Sequence, residues 1–457
     1  MSEITVQNPF GTESIGKLML RYSVPSIISI VVNSLYNMID QIFIGQSVGY
    51  LGNAATTVIQ PITTIVLALC MMIGDGTAAY LSLNLGKGEH ETAAKGVGNG
   101  VTVTIGIGVV FLILFEIFLE PLCKFFGATE SSLPYALDYG RIIVAGFPFF
   151  AVCAAFGSVI RADGRPKISM VGLLLGCIAN IILDPLFIFV FHWGVKGAAT
   201  ATIIGQIVNA IYFLLCIARF ESVKLEKRHL ICTGKIVVKL STLGVSSFIT
   251  QIANAIIAAV LNNLLVYYGA LSIYGADIPM AAFGITMKVN MLVSGIAMGL
   301  ATGMQPIMGY NYGSGQYERV KKSFKLTLLY STIILVVAFI IFQFFPLPIV
   351  RLFGQESGLY EEFAVKCFRT YLLCCFMIGG SMVPAIFFQS IGKPVQAAIL
   401  SLCRQILFLI PSAVVFSYMI GVEGALWAGA FSDALACIVS LAVVKVCWKK
   451  IFGRESK

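Results

Sequence analysis

The stretch Asn180-Ile181-Ile182-Leu183-Asp184-Pro185 lies inside an apolar run from about residue 168 to residue 191. A run of this length and hydrophobicity is typical of a helix that crosses a bilayer. Because Asp184 would place a charge in hydrocarbon, we expect it to face a protein interior or a watery cavity and to have a function. Asn180 precedes it by four residues, so both side chains share one helix face. The alternative is that Asp184 only caps a helix end where Pro185 removes a backbone donor.

The composition of the whole chain is that of a polytopic membrane protein. Of 457 residues, 58% are hydrophobic and 12% are charged, against about 25% charged in an ordinary soluble domain. The net charge of +9 arises from basic residues in short loops between apolar runs, which indicates topology signals and not nucleic-acid binding. The first 17 residues are polar, and the apolar segment after them has no small-residue cleavage site, so we expect it to remain as the first span.

The sequence offers no constellation of catalytic or metal-binding residues. The twelve cysteines are scattered without paired CxxC spacing, and His90, His192 and His229 are far apart in the chain. This leaves little for a metal centre or a nucleophile–base pair. There is also no GxxxxGK[ST] phosphate loop. We therefore expect no enzymatic activity, no cofactor and no dedicated metal site.

Twelve apolar runs of spanning length define the predicted fold. Only helices and closed barrels satisfy their backbone in lipid, and these runs are far too long for barrel strands. The sequence therefore predicts an all-α polytopic membrane protein. The runs cover residues 18–44, 54–82, 97–119, 134–160, 168–191, 197–218, 240–268, 279–308, 324–345, 363–390, 395–418 and 424–447.

The distribution of basic residues predicts the topology. The even-numbered loops and both tails hold 23 of the 31 Lys and Arg, whereas the odd-numbered loops hold four. This bias places both termini in the cytoplasm. We expect the protein to lie in the plasma (inner) membrane. The predicted domains are a cytoplasmic N-terminal segment (1–17), an N-lobe with helices one to six (18–218), a cytoplasmic linker (219–239), a C-lobe with helices seven to twelve (240–447) and a cytoplasmic tail (448–457).

An internal repeat recurs at an offset of about 227 residues. Six spans per repeat is an even number, so both halves enter the membrane from the same side as parallel repeats. The sequence thus predicts two lobes around a central cavity. The matched segments are Asn84-Leu-Gly-Lys-Gly88 with Asn311-Tyr-Gly-Ser-Gly315, Phe126-Gly127 with Phe353-Gly354, Gly164-Arg-Pro166 with Gly392-Lys-Pro394, and Gly194-Val-Lys-Gly-Ala198 with Gly421-Val-Glu-Gly-Ala425.

Two carboxylates are expected to meet in the N-lobe. At a rise of ~1.5 Å per residue, Asp40 in span one, Asp184 in span five and Thr202 in span six reach a similar depth near the outer surface. Two carboxylates in one desolvated pocket cannot both ionise cheaply, so they should titrate together as a proton switch. Asn180 and Thr202 would orient the acids, or supply oxygen ligands to Na⁺ together with both carboxylates.

A set of motifs along the chain resembles the multidrug and toxic compound extrusion (MATE) transporters, in their DinF-like and MepA-like branch. The motifs are Pro9-Phe-Gly-Thr-Glu-Ser-Ile-Gly-Lys-Leu18, Val24-Pro25-Ser26, Asn33-Ser-Leu-Tyr-Asn-Met-Ile-Asp40, Phe43-Ile-Gly45, Gln60-Pro61, Arg161-Ala-Asp-Gly-Arg-Pro-Lys167 and Asn180 to Asp184. The resemblance implies a V-shaped pair of six-helix lobes and cation-driven efflux.

The resemblance also implies the location of the coupling site. The polar network of proton-coupled relatives corresponds here to Asp40, Asn180, Asp184 and Thr202. The Na⁺-coupled NorM-like branch instead has a Glu in span seven and an Asp in span ten. Here Asn254 and Ala255 stand near the first position, and the run 363–390 contains no acid. A C-lobe ion site of that kind is not expected.

Further candidates for substrate contact lie on spans one and eight. Asn33, Tyr36 and Asn37 form a polar stripe with Asp40 on span one and are candidates for substrate contact. Met291 in the methionine-rich span eight is another, although such methionines also serve as packing.

Four more residues of interest within the spans are three acids and a proline. Asp433 should pair with Arg404 in the C-lobe, with binding of a cationic substrate as the alternative. Pro25 is either a hinge in span one or a simple helix-start proline. Asp75 and Glu116, near span ends, are interpreted as structural.

The function that these features predict is antiport of drugs against cations. The expected cargo is small, amphipathic and mostly cationic, and the expected driving force is a proton gradient, with Na⁺ as the alternative. The expected assembly is a monomer in the lipid bilayer without a nucleic-acid partner. A rival is a related flippase for a lipid-linked precursor, against which the scarcity of basic residues within the spans argues.

Overall fold

The structure is a computed structural model that describes residues 9–452, except residues 49, 127, 129, 131, 276 and 353–357. Within this part the chain is helical and contains no β-strand. The repeat pair of Phe126-Gly127 and Phe353-Gly354 therefore lies largely outside the described residues, as do residues 1–8 and 453–457.

Long helices make up nearly the whole described chain. Short 3-10 segments occur at Lys227–Leu230 and Cys375–Met377, and π-helical segments at Leu186–Val190 and Cys403–Leu409. The α-helices are α1 Pro9–Thr12, α2 Ile15–Val48, α3 Tyr50–Gly86, α4 His90–Phe125, α5 Leu133–Ala145, α6 Phe147–Ala162, α7 Pro166–Pro185, α8 Val195–Ala218, α9 Gly234–Ala270, α10 Asp277–Gly313, α11 Tyr317–Phe344, α12 Pro346–Leu352, α13 Gly358–Tyr371, α14 Ile378–Ser390, α15 Pro394–Leu402, α16 Ile410–Ile420 and α17 Val422–Phe452.

These helices confirm the predicted membrane fold. Among the described residues, eleven helical stretches are long and apolar enough to cross a membrane, and the pair α5 and α6 makes a twelfth when counted as one span. This pair bends by 59°. The bend falls at Gly146, one residue before Phe147 and two before Pro148, and a proline lacks the amide that would continue the hydrogen-bond ladder.

The two halves repeat the same local geometry. Span ten breaks between α13 and α14, near the position about 227 residues after the break in span four. Three pairs of glycines with positive φ also match: Gly88 (79°) with Gly315 (73°), Gly164 (93°) with Gly392 (73°), and Gly194 (54°) with Gly421 (70°). Positive φ favours glycine because it has no Cβ. The repeat seen in the sequence is therefore also a repeat of turns.

We call α2–α8 the N-lobe and α9–α17 the C-lobe. The lobes meet where α2 and α3 pack against α9 and α10. Glycines allow this close approach: a Cβ on Gly244 would lie 1.7 Å from the carbonyl oxygen of Met72, and one on Gly76 would lie 1.9 Å from that of Leu240. Both crossings are nearer to the face of the bundle that carries the chain termini, which we call the terminal face.

Many helices extend past the ends of the predicted runs; α4, for example, begins at His90 and not at 97, and two further differences concern the predicted linker and tail. Helix α9 begins at Gly234, six residues before the predicted run at 240, so the non-helical part of the connection is shorter than the predicted linker 219–239. Helix α17 continues to Phe452 past the predicted end at 447. Hydropathy registers only the lipid-embedded part of a helix, whereas Lys235 and Lys239 stay helical beyond it.

The start of span one packs with the opposite lobe. Leu18, Met19 and Tyr22 are buried in a cluster with Met304 and Phe387 of the C-lobe. Farther along the same helix, Ile44 belongs to a core cluster of the N-lobe. Helix α2 is therefore shared between the lobes, although the sequence assigned all of residues 18–218 to the N-lobe.

Candidate functional site

Three helices of the N-lobe bring the predicted polar residues together. Helix α7 packs against both α2 and α8. Gly176 of α7 and Gly205 of α8 permit a close crossing, since a Cβ on Gly205 would lie 2.6 Å from the carbonyl oxygen of Gly176. One turn beyond Gly176 on α7, Asn180 consequently faces Thr202 of α8.

Asn180 is the centre of the hydrogen-bond network. Its Nδ2 atom donates to Asp184 Oδ1 at 3.3 Å and to Thr202 Oγ1 at 3.2 Å. The Asp40 and Asp184 carboxyl groups lie close enough to share a hydrogen bond if one of them is protonated. Exposure of the three buried residues is small, at 7% for Asp40, 2% for Asn180 and 0% for Asp184. The structure thus joins all four residues of the predicted coupling site.

The contact between the two carboxyl groups has a direct chemical consequence. A carboxylate only accepts hydrogen bonds, so Asp40 and Asp184 can bond to each other only when one of them carries a proton. If both were ionised, two like charges would face each other away from water. The pair is therefore built to gain and lose a proton as a unit.

Three buried oxygens in the cluster have no hydrogen-bond partner: Asp40 Oδ1, Asn180 Oδ1 and Asp184 Oδ2. Unpaired buried acceptors are costly, and they lie here in one cluster. Carboxylate and amide oxygens suit a hard cation as well as a proton. Among the described residues, no group of three or more His, Cys, Asp or Glu side chains could hold a metal ion.

Pro185 affects the helix directly after Asp184, as the sequence suggested. Helix α7 ends at Pro185 and the chain continues as a π-helical segment, Leu186–Val190. A π-helical turn widens the helix, and such turns are frequent at functional sites. Asp184 is fully buried and its neighbours are the side chains of Asn180 and Asp40, so a simple cap of the helix end does not describe it.

Two tyrosines complete the surroundings of the acids. Tyr36 lies near Thr202 and near both carboxyl groups. Tyr139 of α5 is buried near Tyr36, Asp40 and Asp184. The sequence singled out Tyr36 as a substrate contact on the Asp40 face of span one. It gave no signal for Tyr139, whose position depends on how the bent pair α5 and α6 packs.

The structure describes the remaining span-one and span-eight candidates only in part. The side chain of Asn33 is exposed, and that of Asn37 is outside the described side chains. Met291 is 62% exposed. Met304 and Met308, by contrast, are buried in a core cluster and serve packing. Helix α2 runs unbroken through Pro25, so Pro25 is not a helix-start proline.

Asp433 lies in a separate polar centre in the C-lobe. Arg404 Nε donates to Asp433 Oδ1 at 2.9 Å, which confirms the predicted ion pair. Asp433 is 5% exposed. One residue after Arg404, Gln405 Nε2 donates to Asn254 Oδ1 at 2.8 Å. The C-lobe thus contains an ion pair and a pair of amides, whereas the N-lobe contains two neighbouring carboxyl groups.

Comparison with known proteins agrees with this architecture. The multidrug export protein MepA of Staphylococcus haemolyticus (strain JCSC1435) is 25% identical over 442 residues, which are 95% of this chain and 94% of that protein. An FAD transporter of Shewanella oneidensis is 26% identical over 428 residues, 91% of each protein. A solved structure described as the outward-facing conformation of a multidrug resistance MATE family transporter of the MOP superfamily has a TM-score of 0.90 at 22% identity, covering 98% of this chain and 99% of that one, which shows the fold.

The family follows from the domain match. The model of the family described as MatE matches residues 25–186, within the N-lobe, and residues 244–415, within the C-lobe. One match in each lobe agrees with the repeat in the sequence and in the turns. Since the two matches together span well over half of the chain, this protein belongs to the MatE family.

Proposed function

We propose that this protein is a multidrug efflux transporter that exports amphipathic, mostly cationic compounds by antiport against protons. The observation that carries the proposal is the buried contact between Asp40 and Asp184, with Asn180 and Thr202 beside it. The similarity to MepA, a multidrug export protein, over nearly the whole chain supports the same cargo class. The chain converts no substrate chemically and needs no cofactor in this account.

Proton coupling follows from the site's place in an alternating-access cycle. A proton that enters from outside neutralises the Asp40–Asp184 pair and favours the state from which drug is released. When the pair opens to the cytoplasm the proton leaves, and the charged pair again favours the drug-bound state. The proton gradient supplies the energy, and the difference in proton occupancy between the two states couples that gradient to drug export.

Helix α2 offers a route from the coupling site to the lobe movement. Asp40 lies near one end of this helix within the N-lobe site, while Tyr22 near its other end packs in the C-lobe cluster. Pro25 lies between them and leaves a carbonyl in the helix without its usual amide donor. We place the hinge of span one at Pro25, because a helix held by both lobes must bend when they rock.

The coupling ion, H⁺ or Na⁺, is decided by a transport measurement, because the unpaired oxygens of the site could take up either. Asp40 Oδ1, Asn180 Oδ1 and Asp184 Oδ2 suit either ion. The test is dye efflux from proteoliposomes under separately imposed proton and sodium gradients. We expect the proton gradient alone to drive transport. If only a sodium gradient does so, the same residues bind Na⁺ and proton antiport is wrong.

A second cargo class has one specific observation in its favour. The relative from Shewanella oneidensis described as an FAD transporter is similar over 91% of the chain. A flavin dinucleotide is anionic at its pyrophosphate, so it would need basic residues along its path. Adding FAD to loaded proteoliposomes distinguishes the two: a multidrug transporter exports the cationic dye, and a dedicated FAD transporter exports only the dinucleotide.

The expected location completes the proposal. We place the protein in the plasma membrane as a monomer, with both termini, and hence the terminal face, in the cytoplasm. The charged connection between α8 and α9 lies at this face, where Arg228 and His229 contact Glu91. Reporter fusions at each terminus that are active only in the cytoplasm test this orientation.

A further inference from the structure

Gly74-Asp75-Gly76 of α3 lies in the seam between the two lobes. A Cβ on Gly74 would lie 2.3 Å from the carbonyl oxygen of Ala155 in α6, and one on Gly76 would lie 1.9 Å from that of Leu240 in α9. The two glycines thus bring one helix of each lobe into backbone contact with α3. Asp75 stands between them, eleven residues before the end of α3 at the terminal face.

The carboxyl group of Asp75 is hydrogen-bonded across the interface. Ser247 Oγ of α9, in the C-lobe, donates to Asp75 Oδ2 at 2.7 Å. Ser158 and Arg161 of α6, in the N-lobe, lie near Asp75, while the Ser158 hydroxyl donates to the carbonyl oxygen of Ala155 in its own helix. Asp75 therefore has a basic neighbour in its own lobe and a hydrogen-bond donor in the other.

A second C-lobe residue orients the serine. Gln389 Nε2 of α14 donates to Ser247 Oγ at 3.1 Å. A hydroxyl has one proton, and accepting from Gln389 leaves that proton free to point at Asp75. The donors therefore run in one direction, from Gln389 to Ser247 to Asp75. Gln389 acts here as a positioning residue.

We propose that the Asp75–Ser247 contact is a functional contact of the transport cycle, which holds the lobes together at the terminal face and breaks whenever that face opens. In the proposed function, to which this inference adds, this face is cytoplasmic and the contact favours the outward-open state. Separating α3 from α9 removes Ser247 but leaves Ser158 and Arg161 with Asp75. Opening therefore breaks one charge-assisted hydrogen bond without stranding a buried charge, so the contact is reversible.

Hydrogen–deuterium exchange of the full-length protein, without drug or ion gradient, tests the proposal. Ser247→Ala removes the only donor from the C-lobe to Asp75 among the contacts described, so peptides covering the terminal-face halves of α3 and α9 should exchange about tenfold faster. The matched control is Ser82→Ala, since Ser82 is a buried serine of α3 that bonds to the carbonyl of Ala78 in its own helix. This control should exchange like the wild type.

A coupling measurement separates a specific contact from general loosening. Asp75→Asn keeps an acceptor of the same shape, so its effect should be smaller than that of Ser247→Ala. In an Asp75→Ala background, Ser247→Ala should add nothing, because the hydroxyl has already lost its partner. If the Asp75 variants do not fold, the comparison of hydrogen exchange between Ser247→Ala and Ser82→Ala still tests the proposal.

Two outcomes would overturn the proposal. One is exchange in Ser247→Ala equal to that of the wild type, and the other is an equal increase in Ser82→Ala. Neither depends on which compounds are exported, because the measurement uses no substrate. A failure of the efflux proposal in transport assays would therefore be distinguishable from a failure of this contact.

Discussion

The amide nitrogen of Asn180 donates to both Asp184 and Thr202, so a single side chain joins the fifth and sixth spans at the acid pair. Tyr36 of the first span lies near the same threonine. The threonine hydroxyl thus lies where three helices meet around Asp184. Removing it should disturb the orientation of the carboxyl groups without adding or removing a charge.

Thr202→Val keeps the shape of the side chain and removes its hydroxyl. We expect a folded protein whose pH-driven dye efflux falls by about tenfold, the effect of one lost buried hydrogen bond. Thr200→Val is the matched control, since Thr200 lies two residues away on α8 and bonds to the carbonyl of Lys196 in its own helix. Equal efflux rates in the two variants would count against the role of Thr202.

Neutralising one member of the Arg404–Asp433 pair should damage folding more than transport. Asp433→Asn keeps an oxygen for Arg404 to donate to but removes the charge that compensates the guanidinium, and leaving a buried charge uncompensated costs up to about 3–5 kcal/mol. Thermal unfolding and expression should therefore fall, while transport per folded molecule is largely kept. Exchanging the two residues should restore part of the stability.

The matched control for that prediction is Glu423→Gln on the same helix. Glu423 is an exposed acid that pairs with Lys366 at the surface, so its loss should change stability little. If Asp433→Asn instead folds normally and loses only cationic substrates, Asp433 is a substrate-binding residue and the structural interpretation is wrong.

The positions of the N-lobe acids could be predicted from the sequence because they depend on helix periodicity and on depth along each helix. Asn180 and Asp184 follow from four-residue spacing, and Asp40 and Thr202 from depth along their helices. Tyr139 and the Asp75–Ser247 contact were not accessible in this way. Both depend on how helices that are distant in the chain cross, and no local pattern encodes a crossing.

At the level of the helices, glycines set how closely the lobes approach. A Cβ on Gly244 would lie 1.7 Å from the Met72 carbonyl oxygen, so Gly244→Ala must separate α3 from α9. We expect a lower unfolding temperature and faster hydrogen exchange at the terminal face. Gly106→Ala on α4 has no atom within 4 Å of the added Cβ. This control should be neutral or should stabilise its helix by about 0.5–1 kcal/mol.

The segment before α2 is held by Arg319 of α11. Arg319 Nη2 donates to the carbonyl oxygens of Phe10 and Glu13 at 2.7 and 2.6 Å, and Asn311 Nδ2 donates to Phe10 at 3.0 Å. Arg319→Lys cannot reproduce two bonds from one planar group. We expect the bonds of residues 9–14 to be cleaved faster in limited proteolysis.

The control for the Arg319 prediction is Lys322→Ala, an exposed basic residue on the same helix. Its proteolysis should match that of the wild type. Unchanged cleavage in Arg319→Lys would mean that packing of Phe10 against Tyr22 and Tyr310 alone holds the segment.

Hydropathy predicted the number and order of the spans but not their internal shape. The run 134–160 was drawn as one helix, whereas the structure bends by 59° at Gly146. The apolar character of the chain continues through the bend, so a hydropathy pattern cannot register it. For the same reason α9 begins before its predicted run, since helical structure continues past the lipid into polar residues.

For the whole molecule, the repeat accounts for the architecture and the differences between the lobes account for the function. Paired turns at Gly88 and Gly315, and at Gly194 and Gly421, give both lobes the same form. Yet among the described residues the N-lobe brings two buried carboxyl groups, Asp40 and Asp184, close together, while the C-lobe has the buried Arg404–Asp433 pair. The coupling ion is therefore expected to act on one lobe, with α2 linking that lobe to the other.

The central claim is that Asp40 and Asp184 form one coupling site, and dye efflux under an imposed pH gradient tests it most directly. Asp40→Asn and Asp184→Asn keep the shape of each side chain, so both variants should fold and bind dye without a gradient. Asp138→Asn is the matched control, because Asp138 is an exposed N-lobe acid that pairs with Lys196. We predict that either site variant abolishes pH-driven accumulation while the control transports normally. Accumulation at the wild-type rate in both site variants would contradict the account.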